Sequence, residues 1–285
     1  MMINTGTLYL CATPIGNLED ITFRAVRILR EVAVVAAEDT RHTRKLLSHY
    51  EVHTPLISYH EHNKTERGVE LIERLKGGED IAVVSDAGMP GISDPGADLV
   101  KLAIEAGITV SPIPGASAGL SALVSSGLDT GRFLFVGFLP KTTKKRRELL
   151  GALATVPYTL IFYESPYRIG SILDEMAVAF GSERQVVAGR ELTKKFEEFI
   201  RGTISTLSAH FKEKVPRGEF ALIVAAAETA AEADPEMPVD IIGQVFSLVD
   251  KGITKKEAIR MVAVQFNLPK REVYQAVLNM AAEED

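Results

Sequence analysis

The chain has 285 residues, 46% hydrophobic and 25% charged, an ordinary globular balance with room for about two domains of roughly 150 residues. Its one cysteine, Cys11, excludes an internal disulfide and fits a reducing compartment. The formal net charge of −6 gives no global attraction to nucleic acid, no run reaches the ~18 apolar residues of a membrane span, and residues 1–30 hold no secretory pattern, so a soluble, cytoplasmic protein with no membrane partner is expected.

The first half alternates apolar runs with amphipathic segments. Thr7–Thr13 reads as a buried strand, and Ile21–Arg30 as a helix with Phe23, Val26 and Leu29 on one face. Strand Val32–Ala37, helix Thr43–Tyr50, strand Pro55–Tyr59, helix Thr65–Leu75, strand Ile81–Val84, helix Ala97–Ala106 and strand Thr109–Ile113 follow. This alternation predicts βαβ units and a mainly parallel sheet. Ligands bind beyond the carboxyl ends of such strands, which selects the loops after Thr13, Val84 and Ile113.

The second half reads as a mixed α/β domain. Strands are expected at Phe133–Leu139, Thr159–Tyr163, Gln185–Arg190, Glu197–Gly202 and Glu219–Ala225, the third and fourth forming an antiparallel pair. Helices are expected at Lys145–Ala154, Arg168–Phe180 and Thr203–Lys214. Residues 226–238, rich in alanine, acid and proline, read as a linker. Beyond lie three short helices, Ile241–Asp250, Lys255–Phe266 and Lys270–Ala281, with a turn near Asn267–Pro269 that is helix-turn-helix-like. The organisation expected is an α/β domain over 1–114, a second over 115–228 closing a cleft, and a small helical domain over 239–285.

The segment SDAGMPGISDPG at 85–96 is the strongest candidate for chemistry. Gly88, Gly91 and Gly96 permit positive φ and close backbone approach, Pro90 and Pro95 stiffen the turn, and Asp86 and Asp94 accept hydrogen bonds. A tight turn alone needs fewer special residues. The loops after Thr13 and Ile113, and the polar run Ala37–Arg44 with Glu38, Thr40 and Arg41, converge on the same sheet edge. A purely local reading stays open there, since Asp39 or Thr40 also suits a helix cap.

Absences narrow the ligand. No two glycines are separated by one residue, which removes the dinucleotide fingerprint and the glycine motif of common methyltransferases. No glycine precedes a lysine, which removes a Walker A loop. A ligand without a bound phosphate chain fits better. Gly115-Ala-Ser-Ala-Gly119 matches a nucleophile elbow, so a serine hydrolase using Ser117 with His210 is a rival reading, although no HGGG-type oxyanion loop precedes it. His60 and His62 have the spacing of two ligands on one strand face but lack a third, and no metal site is expected. Five cations fill Lys141–Arg147, a local patch able to bind phosphate on an acidic chain, or else a solvated helix start.

The segments ATPIGNLEDIT (12–22), AEDTRHTRKLL (37–47), SDAGMPGISDPG (85–96), PGASA (114–118), FYESPYR (162–168), RELTKKFEE (190–198) and RGEF (217–220) resemble, in order and over nearly the whole chain, the ribosomal RNA small subunit methyltransferase I family of the tetrapyrrole methylase-like superfamily. The resemblance implies two α/β domains with S-adenosyl-L-methionine between them and methylation of a cytidine ribose 2′-hydroxyl in the decoding region of 16S rRNA. It further implies a helix-turn-helix-like C-terminal domain and a homodimer. It assigns Pro14, Asp86, Ala87, Gly88, Ile92, Ser117, Ala118, Tyr163, Leu192 and Glu219 to the cofactor. A methylase acting on a small tetrapyrrole macrocycle shares the fold and is the alternative.

A neutral ribose hydroxyl is a poor nucleophile and must lose its proton during or after attack. Loop placement and the matching segments make Glu38 the expected base, Asn17 an orienting group and Arg41 a phosphate clamp. The competing expectation is that Glu38 pairs with Arg41 or Arg44 structurally. Lys141, Lys144, Lys145, Arg146 and Arg147 are expected to contact RNA phosphates, with Lys255 and Lys256 as further candidates.

Overall fold

The computed structural model describes residues 5–94, 96–227, 240–266 and 268–281. Pro95, Asn267 and residues 228–238 of the expected linker lie outside the described residues. The chain divides after Ala227 into two compact units.

The first unit holds two five-stranded sheets. Strands β1 (Thr7–Cys11), β2 (Val34–Ala37), β3 (Leu56–Ser58), β4 (Ile81–Val84) and β5 (Thr109–Ile113) form an all-parallel sheet in the order β3-β2-β4-β1-β5. Helices α1 (Phe23–Glu31), α2 (Thr40–His49), α3 (Lys64–Lys76) and α4 (Gly96–Glu105) connect them. β2 and β4 are buried at every residue, which is why their sequences are unbroken apolar runs. Alternate side chains feed two cores. Val34, Ala36, Ile81 and Val83 meet α3 and α4 on one face, while Val35, Ala37, Ala82 and Val84 meet α1 and α2 on the other. The order explains the division: the connections to β2 and β3 run one way along the sheet, those to β4 and β5 the other, and right-handed crossovers then place the helix pairs on opposite faces.

The second sheet is mixed, as its sequence predicts. Strands β6 (Phe133–Phe138), β7 (Thr159–Glu164), β8 (Gln185–Arg190), β9 (Glu198–Thr203) and β10 (Phe220–Val224) lie in the order β6-β7-β10-β8-β9. Only β6 and β7 pair in parallel, with an irregularity between Phe135 and Gly137, and β8–β9 is the expected antiparallel pair. One face carries α6 (Thr143–Leu153), α7 (Ile169–Phe180) and α8 (Ile204–Glu213) on Leu160, Phe162, Ala188 and Leu222. The other face, with Ile161, Val187, Ala221 and Ile223, receives α5 (Ala118–Ser126) and the loop residues Ile15 and Leu192. Ile15 thus ties the edge of the first sheet to the second.

In the second unit, α9 (Asp240–Asp250), α10 (Lys255–Gln265) and α11 (Lys270–Ala281) share one core built on Ile241, Val245, Ile259, Val262, Val273 and Val277. No described helix is long and apolar enough to cross a membrane.

Candidate cofactor and active site

Beyond the carboxyl ends of β1, β2 and β4, a cavity of about 580 Å³ opens between the two sheets. It has the size of a small-molecule site. Its first wall is the loop after β4. Gly88 adopts φ +79°, and its backbone exchanges two hydrogen bonds with Thr13, at 2.9 and 3.0 Å. A residue with a Cβ would hold that left-handed conformation at a cost of roughly 1–2 kcal/mol. Asp94 folds the loop back on itself by accepting from the amides of Gly91 and Gly96, at 2.8 and 2.7 Å. Asp86 Oδ1 accepts from the Asp39 amide at 3.0 Å, locking the glycine-rich loop to the end of β2.

Asp86, Ala87, Gly88, Ile92, Ser117, Ala118, Tyr163, Leu192 and Glu219 all line this cavity. Pro14 does not; Ile15 does. The Thr13–Gly88 bridge fixes the backbone here, so Pro14 is buried away from the cavity while Ile15 points toward Gly88. Sequence reasoning also missed Met89, Phe138, Pro166 and Gly189. Phe138 reaches the cavity because the irregularity at Gly137, φ +72°, re-aims the end of β6. No periodic signal marks that turn. Tyr163 stands between the Phe135 and Phe138 rings, with centroids at 5.2 and 5.6 Å, and its hydroxyl accepts from the Gly119 amide at 2.9 Å. Gly119 is therefore a close-approach position: a Cβ there would lie 3.2 Å from that hydroxyl.

Glu38 lies on the cavity wall and makes no ion pair with Arg41 or Arg44. Burial first, then the charges of Asp86 and Asp94, raise its carboxyl above the ordinary range. Against these act the Asp86 backbone amide, which donates to the carboxylate, and the nearby His60, so Glu38 has a hydrogen bond but no ion pair. Arg41 is instead exposed and doubly bonded to Asp39, which caps α2 and is held well below the usual carboxylate range by that guanidinium. Asn17 is exposed, and its side chain accepts from Glu19 to cap a single 3-10 turn. The structure brings neither Asn17 nor Arg41 to the cavity.

Two expectations are overturned. Arg146 is not free to meet phosphate: it is buried, bonds both oxygens of Glu175 at 2.9 and 2.6 Å, and donates to the Pro140 and Lys141 carbonyls. Lys141, Lys144, Lys145 and Arg147 are exposed around it. The hydrolase reading fails as well. Ser117 begins α5 on one face of the second sheet, while His210 lies in α8, which packs on the opposite face. No cluster of metal-ligating side chains exists among the described residues.

The lining fits a cationic ligand with flat apolar parts. Glu38, Asp86, Asp94 and Glu219 line it against one cation, Lys194, which is paired to Glu191 and Glu219 at 2.9 Å each, while the Glu164 side chain turns to the other face of β7. Buried Glu164 Oε2 has no hydrogen-bond partner, its nearest cation being Arg168 at 3.4 Å. A sulfonium with an amino group and a planar base suits these acids and the apolar side chains of Ile15, Met89 and Leu192.

Residues 7–208 match the tetrapyrrole (corrin/porphyrin) methylase family. Ribosomal RNA small subunit methyltransferase I of Synechocystis sp. is 48% identical over 278 residues, 98% of this chain and 99% of that one. The protein of the same name from Halalkalibacterium halodurans is 50% identical over 276 residues, 94% of this chain and 93% of that one. Among solved structures, uroporphyrin-III C-methyltransferase from Thermus thermophilus, complexed with S-adenosyl homocysteine, has 21% identity and a TM-score of 0.55, covering 76% of this chain and 97% of its own. With the glycine-rich loop, the two sheets and the acidic cavity in these places, the chain belongs to the ribosomal RNA small subunit methyltransferase I family, within the tetrapyrrole methylases.

Proposed function

We propose that this chain methylates the 2′-hydroxyl of a cytidine ribose in the decoding region of 16S rRNA, acting in the cytoplasm on the small ribosomal subunit. Its methyl donor is S-adenosylmethionine, which supplies an electrophilic methyl on a sulfonium. The loop at 85–94, Ser117, Ala118, Tyr163, Leu192 and Glu219 hold it, and the acidic lining favours its positive charge. Fixing the hydroxyl in line with the methyl provides much of the acceleration. Glu38 accepts the hydroxyl proton.

The observation that carries this reading is the carboxylate of Glu38 on the cavity wall, raised and without an ion pair. Transfer to a neutral hydroxyl needs such a group. A carboxylate-rich macrocycle would meet Glu38, Asp86, Asp94 and Glu219 in this cavity, which disfavours the tetrapyrrole alternative. The homodimer rests on exposed apolar residues: Leu120 and Val124 one turn apart on α5, and Phe133, Leu134 and Phe138 on the edge strand β6. Glu38→Gln is expected to lower single-turnover methyl transfer to small-subunit rRNA by roughly 10²–10⁴-fold with donor affinity changed only a few-fold. An unchanged transfer rate removes Glu38 as the base.

A further inference from the structure

The C-terminal helical unit carries a built feature of its own. A cleft of about 460 Å³ is lined by Lys255, Lys256, Ile259, Lys270 and Tyr274. The sequence places them together because Lys255 and Lys256 open α10, Lys270 opens α11, and Tyr274 follows Lys270 by four residues on the same helix face. Ile259 is buried in the unit's core and forms the floor, while Tyr274 is 51% exposed.

Three features of the cleft point to one class of ligand. First, its charge is uncompensated. Arg260 is paired with Glu257, but none of the three lysines has a carboxylate within ion-pair distance among the described residues. Lys255 instead lies 5.8 Å above the Phe246 ring. Second, the Thr254 side chain does not cap α10: the Glu257 and Ala258 amides turn back to the Thr254 carbonyl at 2.9 Å each, which leaves the amides of Lys255 and Lys256 for an outside acceptor. Third, exposed aromatic surface borders the cations. A free phosphate explains the lysines and amides but leaves Tyr274 without a role. A polynucleotide strand, with phosphates spaced along it and unstacked bases between, uses both.

We propose that this cleft is an RNA-strand site, with backbone phosphates on Lys255, Lys256 and Lys270 and a base stacked on Tyr274. The proposal rests on the rRNA reading above and gives the C-terminal unit a substrate-holding role. Such contacts position RNA without selecting its sequence.

The test uses the full chain and deproteinised 16S rRNA, with affinity measured over a series of salt concentrations. Lys255→Gln, Lys256→Gln and Lys270→Gln are each expected to lower the salt slope by about 0.7, and the triple variant by about 2. Tyr274→Ala is expected to weaken binding roughly fivefold or more with the slope unchanged. Thermal unfolding followed by far-ultraviolet circular dichroism on the same preparations reports folding of the helical unit and should match wild type. A triple variant that binds rRNA with the wild-type slope overturns the proposal. So does unchanged RNA binding accompanied by lost binding of polyglutamate, which would assign the cleft to an acidic protein. Methyl transfer by the wild-type chain is read separately. Transfer with an unaltered variant slope sinks this site alone, whereas lysine-dependent binding without transfer sinks the methylation reading alone.

Discussion

Glu38 is costly where it stands. Burial and the carboxylates of Asp86 and Asp94 raise its pKa in the folded chain, so between its ordinary value of 4.5 and the raised one the folded state binds more protons than the unfolded state. Unfolding free energy therefore falls as pH rises through that window and stays reduced above it. Glu38→Gln carries no charge at any pH. It is expected to melt above wild type at pH 8, and the difference should shrink toward zero near pH 4, as read by thermal unfolding at several pH values. Over the same window the wild-type transfer rate should climb with pH and level off once Glu38 is ionised. A stabilised, inactive variant is the signature of a strained functional group. A variant destabilised at pH 8 would mean that the carboxylate is held by partners the fold needs.

Helix α6 shows how an element divides its charges. Its cation run is continuous in sequence, but the helical period turns Arg146 inward to Glu175 and leaves Lys144, Lys145 and Arg147 outside. Arg146→Ala leaves the Glu175 carboxylate only the distant Arg147 guanidinium, at 4.0 Å, and should cost about 3 kcal/mol in denaturant unfolding. Changing Lys144, Lys145 and Arg147 together to Gln should move stability by under about 0.5 kcal/mol each and lower the salt slope of RNA binding by about 2. The same division marks what sequence reading reached. Ile81–Val84, Thr109–Ile113 and Gln185–Arg190 were legible to the residue, because buried strands are apolar runs between turn residues. The loops at the sheet edge were legible because parallel topology dictates where ligands bind. The inward turn of Arg146, the exchange of Pro14 for Ile15 and the arrival of Phe138 were not, because each depends on a partner distant in the chain: Glu175, Gly88 and Tyr163. The separation of Ser117 from His210 was hidden for the same reason, since a motif does not say which face of a sheet a later helix covers.

At the scale of the whole molecule, an acidic protein must hold an acidic polymer. Net charge at −6 opposes the encounter, and the exposed cations of α6 and of the cleft between α10 and α11 offset it locally. The exposed apolar residues of α5 and β6 make a 62 kDa dimer the expected species from the 31.0 kDa chain, and sedimentation equilibrium should return about twice the chain mass over a range of concentrations. A mass that stays at one chain would leave that face for another partner. The central claim is the atom that receives the methyl group. Small subunits lacking the modification are incubated with the protein and S-adenosylmethionine labelled in its methyl group, and the rRNA is digested with alkali. A 2′-O-methyl blocks cleavage of the adjoining phosphodiester, so the account predicts label in an alkali-resistant dinucleotide that begins with cytidine. Label released in mononucleotides, or no label in rRNA beside transfer to a tetrapyrrole macrocycle, would contradict it.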